Sequence, residues 1–381
     1  MLLAMVRSNA LFLTLTLLLM LPLAAAAQPA TFRAHVLAED LRGGYQVTVA
    51  DVNGDGKSDL IALAQYMDQL FWFENPGWQR HVLATGLKDM INCEVVEPGR
   101  EIIIASGFNS QAGRSEGVVS VLRAGTDVRQ PWAATEIDRL PTSHRLRLAR
   151  IDGGRPVVVN APLTSARAEA PDYRAPTPLL YYRPDDWRRV VISEEVVGVE
   201  HGILVTDWDA DGLDDILTAS FAGIHLYSPA KGKWKRTQIA AGDPTAWPKS
   251  GSSDLALGRL GKTRFLTAIE PWHGNQVVVY LQVGGKWARE VIDDSFSNGH
   301  ALATADLNGD GRDEIVAGYR ARGNTYIYAA GGSGEQWTRT TLDEGMASAS
   351  CAAADLNGDG RADIACIDGT RLKWYENRGG K

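Results

Sequence analysis

Apolar positions in this chain fall in short runs, not at helical spacing. Leu60-Ile61-Ala62-Leu63, Leu70-Phe71-Trp72-Phe73 and Trp78-Gln79-Arg80-His81-Val82-Leu83 follow one another across brief connections. Runs this short, rich in β-branched and aromatic residues and bounded by Gly and Pro, read as strands. The second run recurs as Val118-Val119-Ser120-Val121, Leu179-Leu180-Tyr181-Tyr182, Ile224-His225-Leu226-Tyr227, Val277-Val278-Val279-Tyr280, Thr325-Tyr326-Ile327-Tyr328 and Leu372-Lys373-Trp374-Tyr375. An aromatic residue opens the strand after it at Phe32, Trp78, Trp132, Trp187, Trp234, Trp287 and Trp337, seven times at spacings of 46 to 55 residues. A unit of that length holding four strands is a propeller blade. No Gly-His and Trp-Asp pair recurs, which excludes the WD40 type. The expected fold is all-β: a seven-bladed β-propeller over residues 28–381 with almost no helix.

Between the first two strands of four units lies a polar nonapeptide. The copies are Asp51-Val52-Asn53-Gly54-Asp55-Gly56-Lys57-Ser58-Asp59, Asp207-Trp208-Asp209-Ala210-Asp211-Gly212-Leu213-Asp214-Asp215, Asp306-Leu307-Asn308-Gly309-Asp310-Gly311-Arg312-Asp313-Glu314 and Asp355-Leu356-Asn357-Gly358-Asp359-Gly360-Arg361-Ala362-Asp363. Carboxylate or amide oxygens stand at positions 1, 3, 5 and 9. Glycine stands at position 6, where a tight loop needs positive φ. Hard oxygen ligands at this spacing suit Ca²⁺. Position 7 (Lys57, Leu213, Arg312, Arg361) joins the ligand set through its main chain. An EF-hand opens in the same way but needs Glu at position 12 and flanking helices. Here position 12 is Ala62, Thr218, Ala317 or Cys366, and the flanks are strand-like. Up to four Ca²⁺ sites are expected. Residues 94–101, 150–156 and 258–264 occupy the same place in the other three units without the acids.

The nonapeptide before an apolar strand resembles the FG-GAP/VCBS repeat, the propeller type also found at the head of integrin α subunits. The resemblance covers residues 31–381. It implies a seven-bladed propeller with Ca²⁺ between the first and second strands of some blades. It leaves function open, because such propellers serve adhesion, ligand binding and catalysis.

The order of strands also predicts how the ring shuts. With strands A to D counted from the axis outwards, the chain begins with a D strand at Phe32–Leu37 and ends with a C strand at Trp374-Tyr375. Residues 31–39 should therefore complete the seventh blade, since a closed ring leaves no exposed edge.

Residues 1–27 read as a secretory signal: Arg7 before the apolar Leu11–Leu23, then Ala24-Ala25-Ala26-Ala27, with cleavage before Gln28. An uncleaved anchor is the alternative. No later stretch is long and apolar enough to span a membrane, so a secreted or periplasmic protein without a stable membrane span is expected. The net charge of −7 argues against nucleic acid as a partner. A monomer is expected. Of the three cysteines, Cys351 and Cys366 sit nearly opposite on one predicted hairpin, either bonded or as buried thiols like Cys93.

The A–B loops all lie on one face of such a ring. On the other face, six residues before each A–B loop (five for Asp89), stand Tyr45, Asp89, His144, His201, Ser252, His300 and Ala349. Three of the seven histidines in the chain thus share one tier. The loops beside them carry Tyr173, Arg174, Trp272, His273, Tyr319 and Arg320. Histidines so grouped suit Zn²⁺ or another transition metal, or acid–base chemistry near neutral pH. They equally suit hydrogen bonding around channel water. His144, His201, His300, Asp89, Trp272, His273, Tyr319 and Arg320 are the candidate ligand-binding residues, and His35, His81 and His225 are assigned structural roles. No Ser-His-Asp order, P-loop or dinucleotide fingerprint is present.

Two function classes follow. One is a calcium-binding interaction module for a saccharide or protein ligand. The other is a metal-assisted sugar lyase or dehydratase, and the chain has a more distant similarity to the propellers of aldos-2-ulose dehydratases. Convergence of the three tier histidines favours the enzyme. A channel plugged by aromatics favours the module.

Overall fold

The computed structural model describes residues 29–332, 334 and 336–380. The signal expected at residues 1–27 lies outside them. Among the described residues there are 28 strands and a single 3₁₀ turn, Ala112–Arg114, with no helix long or apolar enough to cross a membrane. The strands form seven four-stranded antiparallel sheets, each a blade. Blade 1 runs outward through Gly44–Ala50, Asp59–Ala64, Gln69–Glu74 and Gln79–Thr85. Blades 2 to 6 follow over residues 92–139, 143–193, 200–240, 254–293 and 299–343.

Blade 7 is shared by the two ends of the propeller, as the strand order predicts. Ser350–Ala354, Asp363–Ile367 and Leu372–Asn377 are its inner three strands, and Phe32–Ala38 is the outermost. The N-terminal strand pairs antiparallel with Leu372–Asn377 from Phe32 opposite Asn377 to Ala38 opposite Leu372. His35 stacks on Trp374 with centroids 4.5 Å apart, and its Nε2 meets Glu376 at 2.9 Å. Cys351 and Cys366 are directly opposed in the register of this blade and joined as a disulfide. Cys93 is a buried free thiol, and burial pushes it up to about 12.

The second strand of each blade is almost entirely apolar because neighbouring blades cover both of its faces. The outer strands are mostly half-buried or exposed. Polar ties join the blades near their rims. Tyr182 donates to Asp138 of the preceding blade at 2.7 Å, Tyr328 to Asp293 at 2.7 Å, and Tyr375 to Asp343 at 2.8 Å. A cation from the tyrosine's own blade reaches the same acid: Arg189, Arg339 and Lys373 respectively. The acid thereby accepts two charge-assisted or hydroxyl hydrogen bonds where a lone buried carboxylate would be costly.

Candidate functional site

On one face of the ring, the four acidic nonapeptides form the A–B connections of blades 1, 4, 6 and 7. Each loop is wound around its first aspartate. Asp51 accepts from the backbone of Gly54, Asp55 and Gly56, and Asp306 and Asp355 repeat this pattern. Asp207 accepts from Asp211 and Gly212. Positive φ at Gly56, Gly212, Gly311 and Gly360 lets the chain turn inward there. The side-chain oxygens of Asn53, Asp209, Asn308 and Asn357 accept from the position-5 N–H. Those of Asp55, Asp211, Asp310 and Asp359 accept from the N–H of Lys57, Leu213, Arg312 and Arg361.

Position 9 closes the loop from inside the fold. Asp59, Asp215, Glu314 and Asp363 are buried and accept from the position-2 backbone at 2.8–3.0 Å. Burial raises all four acids above their ordinary range, Glu314 to about 7, with the neighbouring loop acids adding to it. In the second loop, carboxylate oxygens of Asp207, Asp209 and Asp215 lie within 4.8 Å of one another. The arrangement fits a hard cation: oxygens converge, the backbone is already wound, and a positive ion would relieve the mutual repulsion.

The loops also join blades. Asn75 of blade 1 donates to Leu356 O in the blade 7 loop at 2.6 Å, and Asn377 of blade 7 donates to Leu307 O in the blade 6 loop at 2.7 Å. Two blades without acids receive their neighbour's loop instead. Asp214 and Asp313 accept from the backbone of Arg150 and Arg259.

The opposite face carries a pocket of about 400 Å³ at the channel mouth. Tyr45, Asp89, His144, His201, Trp272, His273 and Arg320 line it, together with Gln65, Tyr66, Phe108, Asn109, Ser110 and Leu163. The histidines reach it because the inner strands of blades 3, 4 and 6 begin there, Ser143–Ala149, Glu200–Thr206 and Gly299–Ala305, and each carries a histidine at its second position. His273 comes from the loop between the second and third strands of blade 5.

The closest trio is His201, His273 and His300, whose ring nitrogens lie within 4.8 Å of one another. His201 Nε2 and His273 Nε2 are 3.2 Å apart. Two nitrogens on a tetrahedral Zn²⁺ at the usual bond length stand about 3.3 Å apart. His201 Nδ1 donates to Ser253 O at 3.1 Å, and His300 Nδ1 donates to Ala349 O at 2.5 Å. With the proton placed on Nδ1, Nε2 of both rings is a bare donor of electrons, which is how metal-binding histidines are oriented. Burial holds His144, His201 and His300 well below the usual histidine range, and His273 falls to about 3 through burial and the charges of Arg320 and Arg145. All four rings are thus neutral at pH 7, as metal ligation requires.

His144 stands apart from the trio, although its ring centroid is 4.8 Å from that of His201. Its Nε2 faces Tyr45 Oη at 3.0 Å and Arg145 Nη1 at 3.1 Å. Tyr45 Oη also meets His300 Nε2 at 3.2 Å. Tyr45, His144, His300 and Arg145 thus form a partition across the channel. Beneath it the channel opens toward the loop face as a polar cavity of about 570 Å³, walled by Thr48, Asn92, Glu94, Arg147 and Asp254 among others. Of the two features that separate the function classes, the first is met in part, since the loop residue His273 takes the place expected for His144 beside His201 and His300, and the second is met by Tyr45 across the channel.

Asp89 is exposed at the pocket rim, and Arg320 lies half-buried over the Tyr45 ring, 5.2 Å from its centroid. Asp89 and His273 both hold positive φ, a conformation costly for non-glycine residues and concentrated at functional sites. Tyr319 does not reach the pocket: its ring stacks on Phe296 and its hydroxyl donates to Ser295 O. Arg145, Tyr66 and Phe108 were not singled out in the sequence. Arg145 adjoins a tier histidine, whereas Tyr66 and Phe108 sit in loops without a repeating position.

The other histidines are placed away from the pocket. His35 and His81 pair with Glu376 and Glu74. His225 is buried with no partner for Nδ1, and burial, helped by Arg236, lowers it to about 4. The unfolded chain takes up this proton near pH 6.5 and the folded one only near pH 4, so stability falls as pH drops through that window. Between pH 7 and pH 5 the loss from this residue is about 2 kcal/mol. His225→Leu should shrink the pH-dependent drop in urea-unfolding free energy by about that amount. An unchanged drop would place the titration elsewhere.

Seven blades surround a channel, with acidic loops on one face and a histidine pocket on the other, so the fold is a propeller with two candidate sites. Profiles of the FG-GAP repeat and the FG-GAP-like repeat match residues 43–66 and 306–366, and that of the aldos-2-ulose dehydratase β-propeller domain matches residues 116–283. Together these matches support a propeller of the FG-GAP type. It is 29% identical over 232 residues to aldos-2-ulose dehydratase of Phanerodontia chrysosporium, covering 52% of this chain and 25% of that protein. The chain thus matches about a quarter of the length of this relative. Among solved structures, Sqt1 of Saccharomyces cerevisiae aligns with a TM-score of 0.56 at 8% identity, over 86% of this chain and 82% of that one, a likeness of fold alone.

Proposed function

We propose that the protein is an exported, calcium-stabilised propeller whose histidine pocket binds a transition metal and a sugar and carries out metal-assisted dehydration or elimination. The convergence of His201, His273 and His300, with two rings fixed through Nδ1 to backbone carbonyls, is the observation that carries this reading. The dehydratase relative supports the sugar and the reaction class. Pocket composition supports it too: Tyr66, Phe108 and Trp272 offer faces for sugar C–H groups, and Asp89 and Arg320 offer hydrogen bonds to hydroxyls. A Zn²⁺ or similar ion held by the three histidines would supply Lewis-acid polarisation of a sugar oxygen. Tyr45 Oη, fixed between His144 and His300, is placed to hold or hand over a proton at the pocket floor. Asp89 is the carboxylate nearest the mouth and the candidate base. Export rests on the N-terminal signal, and the Cys351–Cys366 disulfide supports an oxidising compartment.

A binding module without chemistry is the second reading, favoured by the closed partition at Tyr45. Metal analysis of the purified chain, followed by sugar titration, tests both. The expected result is one equivalent of a transition metal in addition to calcium. Its affinity should fall roughly a hundredfold or more in His201→Ala/His273→Ala, since even outer partners of metal ligands are worth 10–100-fold. Calcium content should not change. No transition metal in the parent protein would remove the enzymatic reading. Sugar binding without turnover in the loaded protein would leave the module.

A further inference from the structure

A second groove of about 410 Å³ lies on the same face as the histidine pocket. Pro171, Tyr173, Phe221, Pro248, Pro271 and Trp272 line it with Ala170 and Lys249, so its wall is mainly aromatic rings and proline. Trp272 lines both cavities, and its ring lies 4.8 Å, centroid to centroid, from that of His273. One indole thus forms the boundary between the metal-site pocket and the groove.

The groove is built rigidly. Tyr173 stands edge-on to Trp272 at 6.0 Å and to Phe221 at 6.2 Å. Trp247 stands edge-on to Phe221 at 5.3 Å, while its Nε1 donates to Asp172 O and the Arg174 guanidinium covers its ring at 5.0 Å. Tyr173 holds positive φ, pinned by its N–H donating to Glu169 O at 2.7 Å. A strained non-glycine residue that presents a half-buried aromatic to an open groove marks a position kept for contact.

We infer that this groove is a subsite for further sugar units, so that the ligand of the histidine pocket is an oligosaccharide that continues past Trp272. This rests on the sugar reading of the pocket. A pyranose ring has one face of C–H groups and an edge of hydroxyls. It packs its C–H face on aromatic rings and proline while its hydroxyls stay in water at the open side. The shared Trp272 favours this occupant over an unrelated apolar peptide, because a sugar seated in the pocket needs only to lengthen past that ring to reach the groove.

The test titrates malto-, cello-, xylo- and oligogalacturonide series, from single units upward, into the metal-loaded full chain. In a series that binds, affinity is expected to rise about tenfold or more between one and three units and then level off. Tyr173→Ala, a residue of the groove alone, should abolish the rise and leave single-unit affinity within about twofold. Tyr173→Phe, which keeps the ring, should retain it. Binding of single units with no gain on lengthening, or a Tyr173→Ala loss equal at every length, overturns this inference and leaves the sugar pocket standing. Failure of every series to bind at any length overturns both.

Discussion

A chain lacking residues 28–40 is expected to lose its cooperative unfolding transition and to aggregate. The deleted segment supplies the whole outer strand of blade 7, paired from Phe32 to Ala38 with Leu372–Asn377. Net hydrogen bonds of about 0.5–1.5 kcal/mol each along that ladder sum to several kcal/mol, a large fraction of ordinary domain stability. The loss also strips His35 from Trp374 and removes the backbone bonds that Thr31 makes with Gly379 and Arg378. What remains is an open edge on Leu372–Asn377, a template for pairing with other chains. Calorimetry and light scattering of the truncated protein test this. A truncated chain that stays monomeric and melts like the parent would refute the closure.

Removal of the calcium proposed for the four loops is expected to have an effect at least as large. Each loop site filled at a hundredfold excess over Kd stabilises the folded state by about 2.7 kcal/mol. Four such sites would contribute on the order of 10 kcal/mol. Because Asn75 and Asn377 bond the main chain of the blade 7 and blade 6 loops, loosening a loop also loosens the joint to the next blade. EDTA should lower the melting temperature and Ca²⁺ should restore it. Asp355→Ala should reproduce part of the loss, because Asp355 accepts from Gly358, Asp359 and Gly360 and winds its loop even before an ion arrives. An EDTA melting curve that overlays the parent, with no calcium in the protein, would rule out these sites.

Much of the architecture was legible because a propeller repeats itself. The periodic aromatic positions Trp78 to Trp337 revealed seven units, and the orphan strand at Phe32 revealed which strand shuts the ring. The tier count placed His201 and His300 at the mouth of the channel, since equivalent positions in a repeat occupy equivalent places in space. His144 shares that tier but turns toward Tyr45 and Arg145. A count along the chain gives the position of a residue, and the direction of its ring depends on which neighbour offers a hydrogen bond. His273 was visible as a loop histidine, but its approach to His201 required knowing how the loop after Thr263–Glu270 folds back. Tyr319 shows the converse. It begins the same kind of loop as His273, yet Phe296 draws its ring away from the pocket. Loops carry no period, and their side chains follow tertiary contacts that no spacing encodes.

The shared seventh blade also sets an order of events. Phe32–Ala38 is synthesised before any strand it can pair with, and its partner Leu372–Asn377 comes after six blades have been made. Thr31 and Gly379, joined by a hydrogen bond, are 348 residues apart in the chain. Bringing such distant segments together costs about 5 kcal/mol in loop-closure entropy if the intervening chain is flexible, and far less once the six blades have folded and curved the ends toward each other. Local hairpins and blades therefore form early, and joining of the first strand to the last is the slow, late step. Until it occurs, both ends of a nearly complete ring remain open.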